Sequence, residues 1–231
     1  MCLRHLLYNV IIFAMKKYFP SLFTCGFLAL CVTSALAHPG HLPADGFLHG
    51  AEHPLTGLDH ILAMFAVGLW ATQLANLHSS KKALWMVPAA FVSMMAISGA
   101  VGMSHLVQLP LVEVGIGASV LILGILIAAA VELPLPISAA IVGCFAIFHG
   151  FAHGAEMPET VSGLSYGMGF VAATIALHAA GIGAGLLSQR GLSPKLVRFG
   201  GVAIALAGIV LLAGWKYFRS HEKSRHSLLE E

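Results

Sequence analysis

Two short stretches of this chain hold more ligand chemistry than their greasy surroundings justify. The first is Phe148-His149-Gly150-Phe151-Ala152-His153-Gly154-Ala155-Glu156. His149 and His153 are four residues apart and Glu156 follows His149 by seven, so on a helix all three share one stripe. Imidazoles and a carboxylate are the donors that suit nickel, cobalt, zinc or iron in the divalent state. Gly150 and Gly154 leave room beside them. The second stretch is His53-Pro54-Leu55-Thr56-Gly57-Leu58-Asp59-His60. His53 and His60 would align on a regular helix, but Pro54 and Gly57 argue against regularity. Irregular backbone is tolerated at membrane depth where it lines a cavity. Asp59 and His60 are adjacent, and both can turn inward only from such a distorted start. His53, Asp59, His60, His149, His153 and Glu156 therefore form one candidate set of metal ligands.

Plainer readings compete at each position. Thr56 and Asp59 fit a capping box with Thr56 as the cap, which alone would account for Asp59. His178 reads as a hydrogen-bonded packing residue. His105, Glu113 and Glu132 lie near segment ends, where water reaches them. Met64 and Cys144 read as packing, since Cys144 precedes His149 by five residues and points off its stripe. Yet a charged group at bilayer depth costs at least about 2.5–3.5 kcal/mol. Five or six metal-competent groups at the ends of two apolar segments resist an account by capping and packing alone. Upstream, His38, His41, His49 and Asp45 fall on a Pro/Gly-rich stretch. Short His-rich tracts suit metal capture, and the α-amine of His38 would join its imidazole if a leader were removed there. A polar linker with incidental histidines fits this stretch equally well.

The elements that must position these groups belong to a membrane. Of 231 residues, 58% are hydrophobic and 10% charged, against roughly 25% charged in soluble domains. The net charge of +2 comes with no basic stripe and no nucleic-acid motif. Lys16 and Lys17 precede an apolar run over 19–32 that ends in Ser34-Ala35-Leu36-Ala37. This is the pattern of a signal peptide over 1–37, cleaved after Ala37, with 1–14 an over-extension upstream of a start at Met15. An uncleaved first membrane helix is the alternative. Cys2, Cys25 and Cys31 lie in the leader, so a mature chain would keep Cys144 and could build no internal disulfide framework.

Beyond the leader, apolar runs over 57–76, 83–105, 112–132, 137–153, 161–187 and 197–218 predict six spans. The expected architecture is all-α: a polytopic helix bundle over 57–218, with a His-containing periplasmic segment at 38–56 before it and a polar tail at 219–231 after it. Thr160 is placed to cap the fifth span. Gly150/Gly154, Gly163/Gly167 and Gly181/Gly185 are GxxxG pairs that permit close helix contact. Lys81 and Lys82, then Arg190, Lys195 and Arg198, put their loops inside by the positive-inside rule and the mature N-terminus outside. The tail objects: it carries Lys216, Arg219, Lys223 and Arg225, yet six spans would leave it outside.

The two stretches resemble the signature motifs of the HupE/UreJ family of nickel/cobalt permeases. The first signature is a His, five residues, then Asp-His, matched by His53, Asp59 and His60. The second is Phe-His-Gly-x-Ala-His-Gly-x-Glu, matched from Phe148 to Glu156. The resemblance runs over essentially the whole mature chain. It implies an inner-membrane, multi-pass permease that takes up Ni²⁺ or Co²⁺ as cargo, holds no prosthetic group and is not an enzyme. Its expected partners are the lipid bilayer and the divalent ion, with the metal supplied to hydrogenase, urease or cobalamin pathways. Two rivals come from other classes. An intramembrane zinc-dependent hydrolase would use the same ligands around an open position, although His-Glu-x-x-His is missing. A serine variant would use Gly163-Leu164-Ser165-Tyr166-Gly167, which needs a strand-turn-helix elbow. A metal sensor or storage subunit makes poor use of six spans.

Overall fold

The computed structural model describes residues 46–158, 161–191 and 194–229. The signal peptide expected over 1–37, the candidates His38 and His41, Asp45 and the cap expected at Thr160 lie outside the described residues. Within them the chain is all-helical, with no strand. Seven helices follow one another: α1 (Gly46–Thr56), α2 (Leu58–Leu77), α3 (Ala83–Met103), α4 (Val112–Ala128), α5 (Leu135–Ala155), α6 (Gly163–Gly191) and α7 (Pro194–Leu229).

Five of these, α2, α3, α5, α6 and the Lys195–Trp215 part of α7, are long and apolar enough to cross a membrane. Their exposed faces make the same point. Phe199 and Val210 on α7 are each 69% exposed, with Leu206 and Ile209 also open. In water such a contiguous apolar face is a liability, and in lipid it is the solvated face. The run expected at 112–132 forms a helix of 17 residues, about 26 Å at 1.5 Å per residue. It stops early because Ala130 turns left-handed at φ 52°. The Ala130 N–H then donates to Ile127 O and the Val131 N–H to Leu126 O, which satisfies carbonyls the helix end leaves open.

Two further elements depart from the sequence reading. The segment before the first span, a Pro/Gly-rich stretch expected to serve either in metal capture or as a polar linker, is helical from Gly46 to Thr56. Gly46, Gly50 and Pro54 sit four apart and form its buried face, so residues that look like breakers serve as a packing stripe. The last helix begins at Pro194 and its backbone stays helical to Leu229, through what read as a tail.

Glycines join the helices into tightly seated groups. α6 takes α1 and α2: a Cβ at Gly50 would collide with the Tyr166 backbone, and one at Gly68 with the His178 backbone, while Gly181 faces Phe65 and Leu69 in return. α3 and α5 interlock through Gly102, Gly150 and Gly154. α4 and α7 do so through Gly124, Gly201 and Gly208. These are the most extensive helix contacts in the molecule, and close backbone approach of this kind is how helices associate in lipid. Two of the three expected GxxxG pairs thus act as read. The third does not, because Gly163 and Gly167 meet only methionine side chains, and Gly169 makes the backbone contact instead.

Successive helices α2 to α7 alternate in direction. At one end Gly102 of α3 meets α5 at Phe151, and Ser119 of α4 bonds His149 of α5. At the other end the Gln73 amide donates to Ile127 O and His78 Nε2 to Leu133 O. There too the Arg198 guanidinium donates to Ala128 O at 2.7 Å. α7 therefore starts at the end that holds Lys81 and Lys82 and runs toward the end that holds His149.

Candidate metal centre

The centre begins at the break between α1 and α2. Gly57 adopts extended backbone, φ −90° and ψ 117°, and caps α2 without a side-chain bond. The expected capping box does not form: the Thr56 hydroxyl donates to His53 O at 2.8 Å and leaves α2 alone. Asp59 has a different task. Its Oδ1 accepts the His60 backbone N–H at 2.8 Å and the His60 Nδ1–H at 2.6 Å. A side chain at position 57 would intrude on both partners, since a Cβ there would lie 2.7 Å from Asp59 Oδ1 and 2.8 Å from His60 Nδ1. The distorted start expected from Pro54 and Gly57 is real, and it lets Asp59 and His60 face the same way.

The last turns of α5 meet this corner. His149 is fully buried and His153 is 3% exposed. The His60 ring lies 4.8 Å from the His149 ring and 4.2 Å from the His153 ring, and His53 stands 4.6 Å from His153, all edge-on. His53 Nε2 reaches Glu156 Oε2 at 3.4 Å, with the Glu156 side chain 57% exposed. So the six residues singled out in the sequence meet in one place, with Glu156 and His53 at the mouth and His149 deepest. One donor atom each from His53, His153 and Glu156 lie within 4.8 Å of one another. Donors around a cation held at about 2.1 Å stand about 3–4 Å apart, so a small closing movement would complete that trio.

Hydrogen bonding fixes which nitrogens are free. The Ser119 hydroxyl donates its one proton to Ile116 O at 2.7 Å, so its oxygen accepts from His149 Nε2 at 2.9 Å. His149 Nδ1 is left as a bare lone pair, without a partner among the described residues. By the same logic Asp59 holds His60 Nδ1 as a donor and leaves His60 Nε2 bare. Both nitrogens of His153 are unpartnered and buried among the described residues. Buried polar atoms are ordinarily satisfied. A ring whose second nitrogen is pinned by a carboxylate or hydroxyl is the arrangement that presents a ligand to a metal.

Other residues at the centre carried no signal of their own in the sequence. Ser119 reads as an ordinary small residue in a span. The Phe170 ring lies tilted against His153 with centroids 4.1 Å apart, and Tyr166 sits 6.1 Å from the His53 ring with its hydroxyl buried. Glu113, expected to be a solvated end, is exposed as expected and lies within electrostatic reach of Asp59, Glu156 and His60. Of those set aside, Met64 is buried in the core, while Cys144 faces outward and lines an apolar groove with Ile137 and Phe145. Ser165 lies in the first turn of α6, so the elbow that a G-x-S-x-G nucleophile needs does not exist there.

A multi-pass helical membrane protein with imidazoles and carboxylates gathered at one end belongs to the class of membrane metal-handling proteins. Comparison with known proteins narrows the class. A family model described as HupE / UreJ protein matches residues 27–211. Protein HupE of Rhizobium leguminosarum bv. viciae is 47% identical over 180 residues, which cover 78% of this chain and 91% of that protein. No solved structure matches. The chain belongs to the HupE/UreJ family, a family of nickel/cobalt transporters. The hydrolase readings receive no support from either match.

Proposed function

We propose that this protein takes up Ni²⁺ or Co²⁺ through the bacterial inner membrane by way of the cluster at the meeting of α1, α2 and α5. The observation that carries the reading is the set of bare imidazole nitrogens on His60, His149 and His153, buried beside His53, Asp59 and Glu156. The ion meets His53 and Glu156 first, because they are the most exposed of the six. It then exchanges its water shell for His153, His60 Nε2 and His149 Nδ1. Asp59 and Glu156 offset its charge, which is very costly in a low-dielectric site. Mixed nitrogen and oxygen ligation without thiolate binds weakly enough to release, as a transport site must.

In this reading α4 is the sixth span, the mature N-terminus faces the periplasm, and His38 and His41 gather ions ahead of the cluster. Support for the orientation comes from Lys81, Lys82 and Arg198, which share the end away from the cluster, the cytoplasmic end by the positive-inside rule. The test is uptake of radiolabelled nickel by cells that express each variant at normal level. His149→Ala and Glu156→Ala should each abolish uptake, and retained uptake in both would remove the pathway. Proteoliposomes assayed in parallel for metal uptake and for peptide hydrolysis should show only the first.

A further inference from the structure

We propose that His178 is a second cation station, deeper in the membrane than the cluster and reached past Phe91. The inference rests on the transport reading above and extends it beyond the two motifs. His178 is 2% exposed on α6. Its Nδ1 lies 2.7 Å from Met64 O. A carbonyl only accepts, so Nδ1 carries the proton and Nε2 is a lone pair. That Nε2 is buried and has no partner among the described residues. His178 therefore repeats the arrangement of His60 and His149: one nitrogen pinned as a donor by an oxygen, the other bare and buried.

Its position continues the line. The cluster stands level with Phe170 of α6, whose ring lies tilted against His153. His178 is eight residues further along the same helix, about 12 Å deeper at 1.5 Å per residue. The Phe91 ring bridges the two levels, 5.7 Å from His149 and edge-on to His178 at 5.2 Å. Further toward the opposite end, α2, α6 and Val197 of α7 border a half-open recess of about 70 Å³, mostly apolar, whose wall includes Thr72, Gln73, Asn76, Ser188 and Gln189. Polar groups thus recur along the α2–α6 face from one end to the other, with His178 at the midpoint. No carboxylate has a bond to His178 among the described residues, so a dication there keeps most of its charge uncompensated. The station is a brief stop, and equilibrium occupancy belongs to the cluster with its two carboxylates.

This division sets the test. Full-length protein in nanodiscs is titrated with Ni²⁺, and the same protein in proteoliposomes is assayed for the initial rate of Ni²⁺ uptake. His178→Ala and His178→Asn are compared with wild type. Asparagine keeps an N–H for Met64 O and removes the Nε2 lone pair. Both variants should bind with affinity within about twofold of wild type, as for a distant independent site. Both should transport at least about tenfold more slowly, as on loss of a metal-facing group. Wild-type uptake by His178→Asn would overturn the proposal, because the tether to Met64 would then be all that matters. A loss of affinity in step with the rate would overturn it too, by assigning His178 to the cluster or to the fold. If wild type itself neither binds nor transports Ni²⁺, the transport reading fails before His178 is at issue.

Discussion

A single hydroxyl decides what His149 can offer. Because Ser119 spends its proton on Ile116 O, it can only accept from His149 Nε2, and the free lone pair is forced onto Nδ1. Ser119→Ala removes that instruction and leaves a buried N–H unpaired. It should cost about 1–3 kcal/mol of stability and weaken Ni²⁺ binding about tenfold or more. Thermal unfolding and equilibrium titration of the purified protein measure the two losses separately. The six residues in the motifs were legible beforehand because ionisable groups are costly in a span. Ser119 was not, since a serine in a helix can bond its own backbone three or four residues back and so gives no sign of a partner. His178 was read as a packing residue, and half of that stands: one nitrogen does bond to backbone. The bare state of the other is visible only when the neighbours are in place.

At the scale of elements, glycine contacts can be separated from glycines that touch nothing. A Cβ at position 154 would run into the Gly99 backbone, whereas one at 183 would meet nothing within 4 Å. Gly154→Ala should therefore destabilise by about 1–3 kcal/mol through forced separation of α3 from α5. Gly183→Ala should be neutral or stabilise by up to about 1 kcal/mol through helix propensity. Melting temperatures of the two variants in one detergent give the comparison. The first span, expected at 57–76 and found at Leu58–Leu77, was legible because length, apolar content and a glycine break all agree. α1 was hidden by Gly46, Gly50 and Pro54, which read singly as breakers. Their four-residue spacing was the available signal, and it makes sense only with α6 to receive it. The failure of Gly163/Gly167 has the same origin, since spacing marks a smooth face but does not say which helix lies against it.

For the whole molecule, orientation is the open quantity with the clearest readout. In a Cys144→Ser background, Lys81→Cys should resist an impermeant maleimide added to intact cells, and Leu106→Cys, at the opposite end and 86% exposed, should label readily. Labelling of position 81 from outside would invert the orientation. The basic tail remains at odds with the charge rule: α7 runs antiparallel to α4, with Leu212 beside Gly117, and so ends on the side of His149. The glycine contacts also carry a mechanical meaning. Backbones seated directly on one another resist sliding, so α6 groups with α1 and α2, α5 with α3, and α4 with α7. His53, Asp59, His60 and His178 ride on the first body, and His149, His153 and Glu156 on the second. The donors of these two bodies face each other across a seam that none of the backbone-to-glycine joints named above crosses, so a relative displacement of the two would part the donors and leave those joints intact.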